Sequence, residues 1–147
     1  MKRYRFGLDW WGLALFLLVM APNLVWFLVP APSDVLRLPS RTPVLDTVAS
    51  VVQIFLVASL CLLRRMDAKV PDKNYILPIV GTLVGYWICW ACYYGGTTCP
   101  IMLLAMCVLP CASLLLWAAF RRNRPALVFG SLFLLLHGAY GVLNFLY

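Results

Sequence analysis

The residues best suited to chemistry are crowded into one stretch, Tyr86 to Cys111, which reads YWICWACYYGGTTCPIMLLAMCVLPC and holds five of the six cysteines. Cys89-Trp-Ala-Cys92 has the CxxC spacing that supports disulfide exchange in a thioredoxin-like setting. Cys99 stands just before Pro100, at the expected start of a helix, and helix N-termini favour thiolates, so Cys99 is the best candidate for a reactive thiol. A Cys92–Cys99 disulfide across the turn is geometrically conceivable on an oxidising side. Cys89, Cys92, Cys99, Met102, Met106, Cys107 and Cys111 also form a soft-ligand set of the kind that selects Cu(I). Met106 and Cys107 are adjacent and diverge on a helix, whereas Cys107 and Cys111 share a face at i, i+4. Against both chemical readings stands the plain one, in which cysteine is a small buried hydrophobe and no cofactor is required.

A second set of candidates is polar. Helical spacing places Asp46, Ser50, Gln53, Val57 and Cys61 on one stripe, and Gly130, Leu134, His137, Gly141 and Asn144 on another. Phe16, Met20 and Asn23 line up on a third. Polar side chains deep in an apolar helix are costly against lipid and normally face the bundle interior. We therefore expect Asn23, Gln53, His137 and Asn144 to form an interior cluster that can hold a small molecule or ion. His137 is its one member whose ordinary titration lies near neutrality. The competing reading is interhelical hydrogen bonding that only holds the bundle together. Asp46 is expected in the first turn of its helix, where the helix dipole favours a carboxylate, with a role in cation or proton entry as the functional alternative. Gly81-Thr-Leu-Val-Gly85 is a small-xxx-small pattern, extended by Cys89, that lets helix backbones approach and offers a surface for a second copy or another membrane subunit.

The elements that must position these groups follow from composition. The chain has 147 residues, 64% hydrophobic and only 12% charged, with a mean hydropathy of +0.91. Soluble proteins carry about 25% charged residues, so an aqueous globule is excluded. Glutamate is absent and histidine occurs once, which removes most of the material for acid–base or metal catalysis. Five apolar runs are each long enough to cross a bilayer: residues 10–29, 44–63, 74–94, 100–120 and 125–146. The basic start before Trp10 also fits a signal peptide, but the run of about 20 apolar residues suits a retained span better. Pro22 should free a carbonyl in the first span, which Asn23 is placed to bond. Between the first two spans, Pro30 to Pro43 forms a proline-rich loop in which Ser33-Asp34 can start a short helix, and Thr42-Pro43 reads as an N-cap followed by a first-turn proline.

The net charge of +7 does not indicate a nucleic-acid partner, because the basic residues cluster at span ends. Ten of the twelve fall on one side: Lys2, Arg3, Arg5, Arg64, Arg65, Lys69, Lys73, Arg121, Arg122 and Arg124. The positive-inside rule then puts the N-terminus in the cytoplasm and the C-terminus outside. Trp10, Trp11, Tyr75 and Trp117 would form an inner aromatic belt, and Trp26, Trp90, Tyr93, Tyr94 and Tyr147 an outer one. The expected fold is an all-α polytopic bundle of five transmembrane helices forming a single domain, with the lipid bilayer as its first partner.

FGLDWWGLALFLLVMAPNLVWF, with Phe6-Gly7 and Met20-Ala21-Pro22-Asn23, together with Pro110 in the fourth span and His137 in the fifth, resembles a family of small uncharacterised five-span membrane proteins of Firmicutes. The resemblance implies a bacterial cytoplasmic membrane and marks Pro22, Asn23 and His137, but it carries no activity. In outline the cysteine hairpin also resembles quinone-linked membrane thiol oxidases with an outward-facing CxxC. Those proteins keep four spans and a second cysteine pair in an extracytoplasmic loop, and Pro30 to Pro43 has none. The leading expectation is a non-enzymatic small-molecule or ion-binding membrane protein. The alternatives are thiol-redox or soft-metal work through the hairpin and an accessory role in a larger complex.

Overall fold

The computed structural model describes residues 4–66 and 73–146. Lys2, Arg3, Lys69 and Tyr147, which entered the charge and belt arguments, lie outside the described residues. Five apolar runs become five helices long enough to cross a membrane: α1 (Trp10–Leu28), α2 (Pro43–Leu62), α3 (Lys73–Tyr94), α4 (Pro100–Phe120) and α5 (Arg124–Gly141), the last continued by a π-helical turn at Val142–Leu146. Their bounds match the expected spans to within one residue at most ends, because apolar length and flanking Pro or Arg define them. Val35–Arg37 forms a single 3-10 turn in the proline-rich loop, where the short helix is expected.

α4 is the central post. It packs along α3 on one side and α5 on the other, α2 closes against α5, and α1 leans across α2, α3 and α4 with sparser contacts. Side chains such as Leu24, Phe27, Ile54, Phe55, Leu77, Ile88, Val128 and Leu135 remain exposed on the outer faces, as expected of helices that meet hydrocarbon rather than water. Close approach of the helices depends on glycines other than the expected pair. A Cβ on Gly141 would lie 3.0 Å from Leu104 and 3.2 Å from Cys107 Sγ, and one on Gly12 would lie 3.1 Å from the Leu60 carbonyl. Gly85 makes only an ordinary contact with Leu109, and Gly81 faces open space. Thr82 and Ser113, 2.8 Å apart, add a polar bridge between α3 and α4.

One element is not visible in the hydropathy. Tyr4–Phe6 (β1) and Leu63–Arg65 (β2) pair as an antiparallel two-stranded ribbon, Tyr4 opposite Arg65 and Phe6 opposite Leu63. Its cause is the end of α2, whose last carbonyls have no helical donors. Gly7 N–H donates to the Leu62 carbonyl at 3.0 Å and Asp9 N–H to that of Cys61 at 2.7 Å. Buried Asn123 donates to the carbonyls of Ser59 and Leu63 at 2.7 and 2.9 Å. Asp9 caps α1 through the N–H groups of Trp11 and Gly12 and accepts from Arg121 Nε at 3.0 Å. At this ribbon end, then, α1, α2, α4 and α5 are tied by a largely buried ion pair and a buried amide. The opposite, loop end gathers residues 29–42, the Gly95–Cys99 turn and the π-helical turn.

Candidate functional site

Four helices bring polar side chains to one interior cavity of about 210 Å³, lined by Asn23 of α1, Gln53 of α2, Tyr86 of α3 and His137 of α5, with Met106, Pro110 and Cys111 of α4 at its back. Asn23 Nδ2 reaches Tyr86 Oη at 2.6 Å and the Val19 carbonyl at 3.1 Å. Gln53 and His137 make no hydrogen bond to another described residue; the His137 ring instead stacks on Phe133 and Tyr140, with centroids 5.0 and 5.7 Å away. Pro110 withdraws the helical donor from the Met106 carbonyl, and both residues line this same cavity. Buried polar groups in proteins are overwhelmingly bonded. Gln53 and His137 are half-buried, and their unbonded amide and imidazole line a hollow with room for water.

A second cavity, about 180 Å³, adjoins the first on the loop side and shares Asn23, Tyr86, Met106 and His137 with it. Its remaining wall contains Asp46, Trp26, Trp90, Tyr140 and Phe145, with Leu36 of the loop above. Asp46 sits in the first turn of α2, as expected, and its carboxylate has no hydrogen-bond or ion-pair partner among the described residues. Sequence spacing pointed to Asn23, Gln53, His137 and Asp46, and these four meet around the paired cavities. It missed Tyr86, which joins α1 to α3 at their boundary, and the aromatic wall. The signal for Tyr86 was available: it lies three and four residues from Leu83 and Trp90, on the packed side of α3.

Asn144 is the exception and corrects the expected cluster. Its side chain accepts from Arg41 N–H at 2.8 Å and donates to Thr42 Oγ1 at 2.8 Å, so it staples the proline-rich loop to the end of α5 instead of facing the interior. That bond also occupies Thr42, which is the N-cap residue of α2 but makes no side-chain cap. The loop is held a second time by Asp34, which accepts from Trp26 Nε1 at 2.9 Å, Tyr93 Oη at 2.9 Å and Arg37 Nε at 2.8 Å. Burial disfavours the Asp34 carboxylate, but the hydrogen bonds from Trp26, Tyr93 and Arg37 outweigh it and hold its pKa below the ordinary 3.8. Trp90, Tyr93 and Trp117 are buried in the core, so they do not form a lipid-facing belt; Trp10, Trp11 and Tyr75 remain exposed.

The cysteines separate into two groups. Cys92 and Cys99 are exposed around the loop-end turn, with Cys99 the N-cap residue of α4, while Cys61, Cys107 and Cys111 are buried and Cys89 is half-buried. All six are free thiols. Cys107 and Cys111 share a face as expected, Cys111 Sγ donating to the Cys107 carbonyl at 3.1 Å, and Met102 packs against the core. Among the described residues no three His, Cys, Asp or Glu side chains gather at one point. No protein family, characterised protein or solved structure matches this chain.

Proposed function

We propose that this chain is a multi-pass protein of a bacterial cytoplasmic membrane, with the ribbon end inside, and that it binds or helps to move a small molecule or ion through the paired cavities. The orientation rests on the basic residues, with Arg5, Arg64, Arg65, Arg121, Arg122 and Arg124 at the ribbon end against Arg37 and Arg41 at the loop end. Function rests on one observation above the others. Gln53 and His137 line a cavity in the apolar interior, yet neither makes a hydrogen bond to a described residue. Side chains retained only to fasten helices would be spent on each other, as Thr82 and Ser113 are. Unpaired polar groups at this depth carry a desolvation cost that a ligand or bound water offsets.

The test is a thermal-unfolding screen of the detergent-solubilised protein against small ions, amino acids, sugars and organic cations. At least one compound should stabilise the wild-type chain, and Gln53→Leu and His137→Leu should each abolish that shift while Asn144→Ala retains it. A panel with no stabilising compound, or with hits indifferent to Gln53 and His137, would sink the reading.

A further inference from the structure

The loop-end cavity has a chemical character that the first cavity lacks. Aromatic side chains from four elements line it: Trp26 from α1, Tyr86 and Trp90 from α3, Tyr140 from α5 and Phe145 from the π-helical turn. At its edge stands Asp46, whose carboxylate makes no hydrogen bond or ion pair with a described residue and lies within electrostatic reach of His137 and Tyr140 in the same wall. Neither Lys nor Arg lines the cavity. Both cationic groups of the neighbouring loop are placed elsewhere. Arg37 is held by Asp34 and lies 4.9 Å from the Trp26 ring centre, and Arg41 lines a separate hollow beside Asn144. The first turn of a helix accounts for a carboxylate at Asp46, but it does not account for a ring-walled hollow beside it.

Aromatic rings present a negative face, and enclosures of them recognise ammonium groups, the more strongly when water is excluded. A bare metal ion fits poorly. Hard cations take six or more oxygen ligands, whereas this wall offers one carboxylate and isolated amide and phenol oxygens. The volume, about 180 Å³, exceeds the roughly 150 Å³ that suffices for benzene. Resting on the small-ligand reading above, we propose that the loop-end cavity takes a small organic ammonium ion, its charge set against Asp46 and its methyl or methylene groups against Tyr86, Trp90 and Tyr140.

Tetramethylammonium and its neutral isostere tert-butanol are the probes, titrated at constant ionic strength into the full chain and followed by saturation-transfer NMR and calorimetry. Tetramethylammonium should bind saturably and tert-butanol should not. Asp46→Asn should weaken tetramethylammonium by on the order of tenfold or more and leave the protein folded, since Asp46 is exposed and makes no side-chain hydrogen bond or ion pair that the substitution would break, only its favourable place in the first turn of α2. Tyr140→Leu should also weaken it, whereas Asn144→Ala should not. Equal binding by tert-butanol, or wild-type affinity in Asp46→Asn, would overturn the ammonium assignment while leaving the cavity reading to stand on Gln53 and His137. Absence of saturable tetramethylammonium binding to folded wild-type protein would overturn it as well.

Discussion

Pro22 deletes one N–H from the middle of α1, and Leu18, four residues earlier, loses the donor to its carbonyl. Trp87 of α3 supplies the replacement, its Nε1 lying 3.1 Å from the Leu18 oxygen. Asn23, the neighbour expected to do this, bonds Val19 and Tyr86 instead. The missing donor was legible in the sequence and its substitute was not, because Trp87 lies in another helix and no local spacing points to it. The pair makes a sharp prediction. Trp87→Phe should cost about 1 kcal/mol more in the wild-type chain than in a Pro22→Ala background, the net worth of one hydrogen bond. The area lost with the indole is common to both backgrounds and cancels in the cycle. Unfolding of the four proteins in mixed micelles measures the difference, and an equal cost in both backgrounds would show that Trp87 acts through packing alone.

Among the elements, the segment between α1 and α2 carries a consequence for acid stability. Its proline content and the Ser33-Asp34 start were enough to foresee a short turn, but the partners that fix the turn come from α1, α3 and α5 and could not be read from it. Asp34 is the hub, receiving Trp26, Tyr93 and Arg37, and its carboxylate is more acidic than the ordinary 3.8 because those bonds outweigh the effect of burial. A carboxyl whose folded pKa is depressed stabilises the folded arrangement fully above its unfolded pKa, and that stabilisation is lost as pH falls through the folded value. The fastening of residues 30–42 should therefore be constant from neutrality down to about pH 4 and weaken only below it. Limited proteolysis of this segment with pepsin across pH 5 to 2 should show that onset. Asp34→Asn should be cut more readily throughout and lose the acid step; retention of the step in that variant would place its cause in another group.

At the scale of the whole molecule, helix order and length were open to sequence reading because twenty-residue apolar runs leave few alternatives in a bilayer. The ribbon was not, since three-residue strands carry almost no periodicity and β1 pairs with a segment nearly sixty residues away. Likewise the paired cavities were legible only as faces: spacing said which side of each helix was polar, and packing decided that Asn144 would turn outward to the loop. What remains is the direction in which the bundle crosses the membrane, and the two exposed cysteines of the loop end can report it. Cys92 and Cys99 are exposed at the loop end, whereas Cys61, Cys107 and Cys111 are buried. With the ribbon end in the cytoplasm, a membrane-impermeant maleimide added to intact cells should label the loop-end pair Cys92 and Cys99, and replacing both by Ser should remove most of that signal. The reverse insertion gives the opposite pattern, with labelling of that pair only in inverted vesicles, and would put the basic ribbon end outside, against the charge rule. It would also turn the loop-end cavity beside Asp46 toward the cytoplasm, so this labelling decides which side of the membrane that cavity lies nearer.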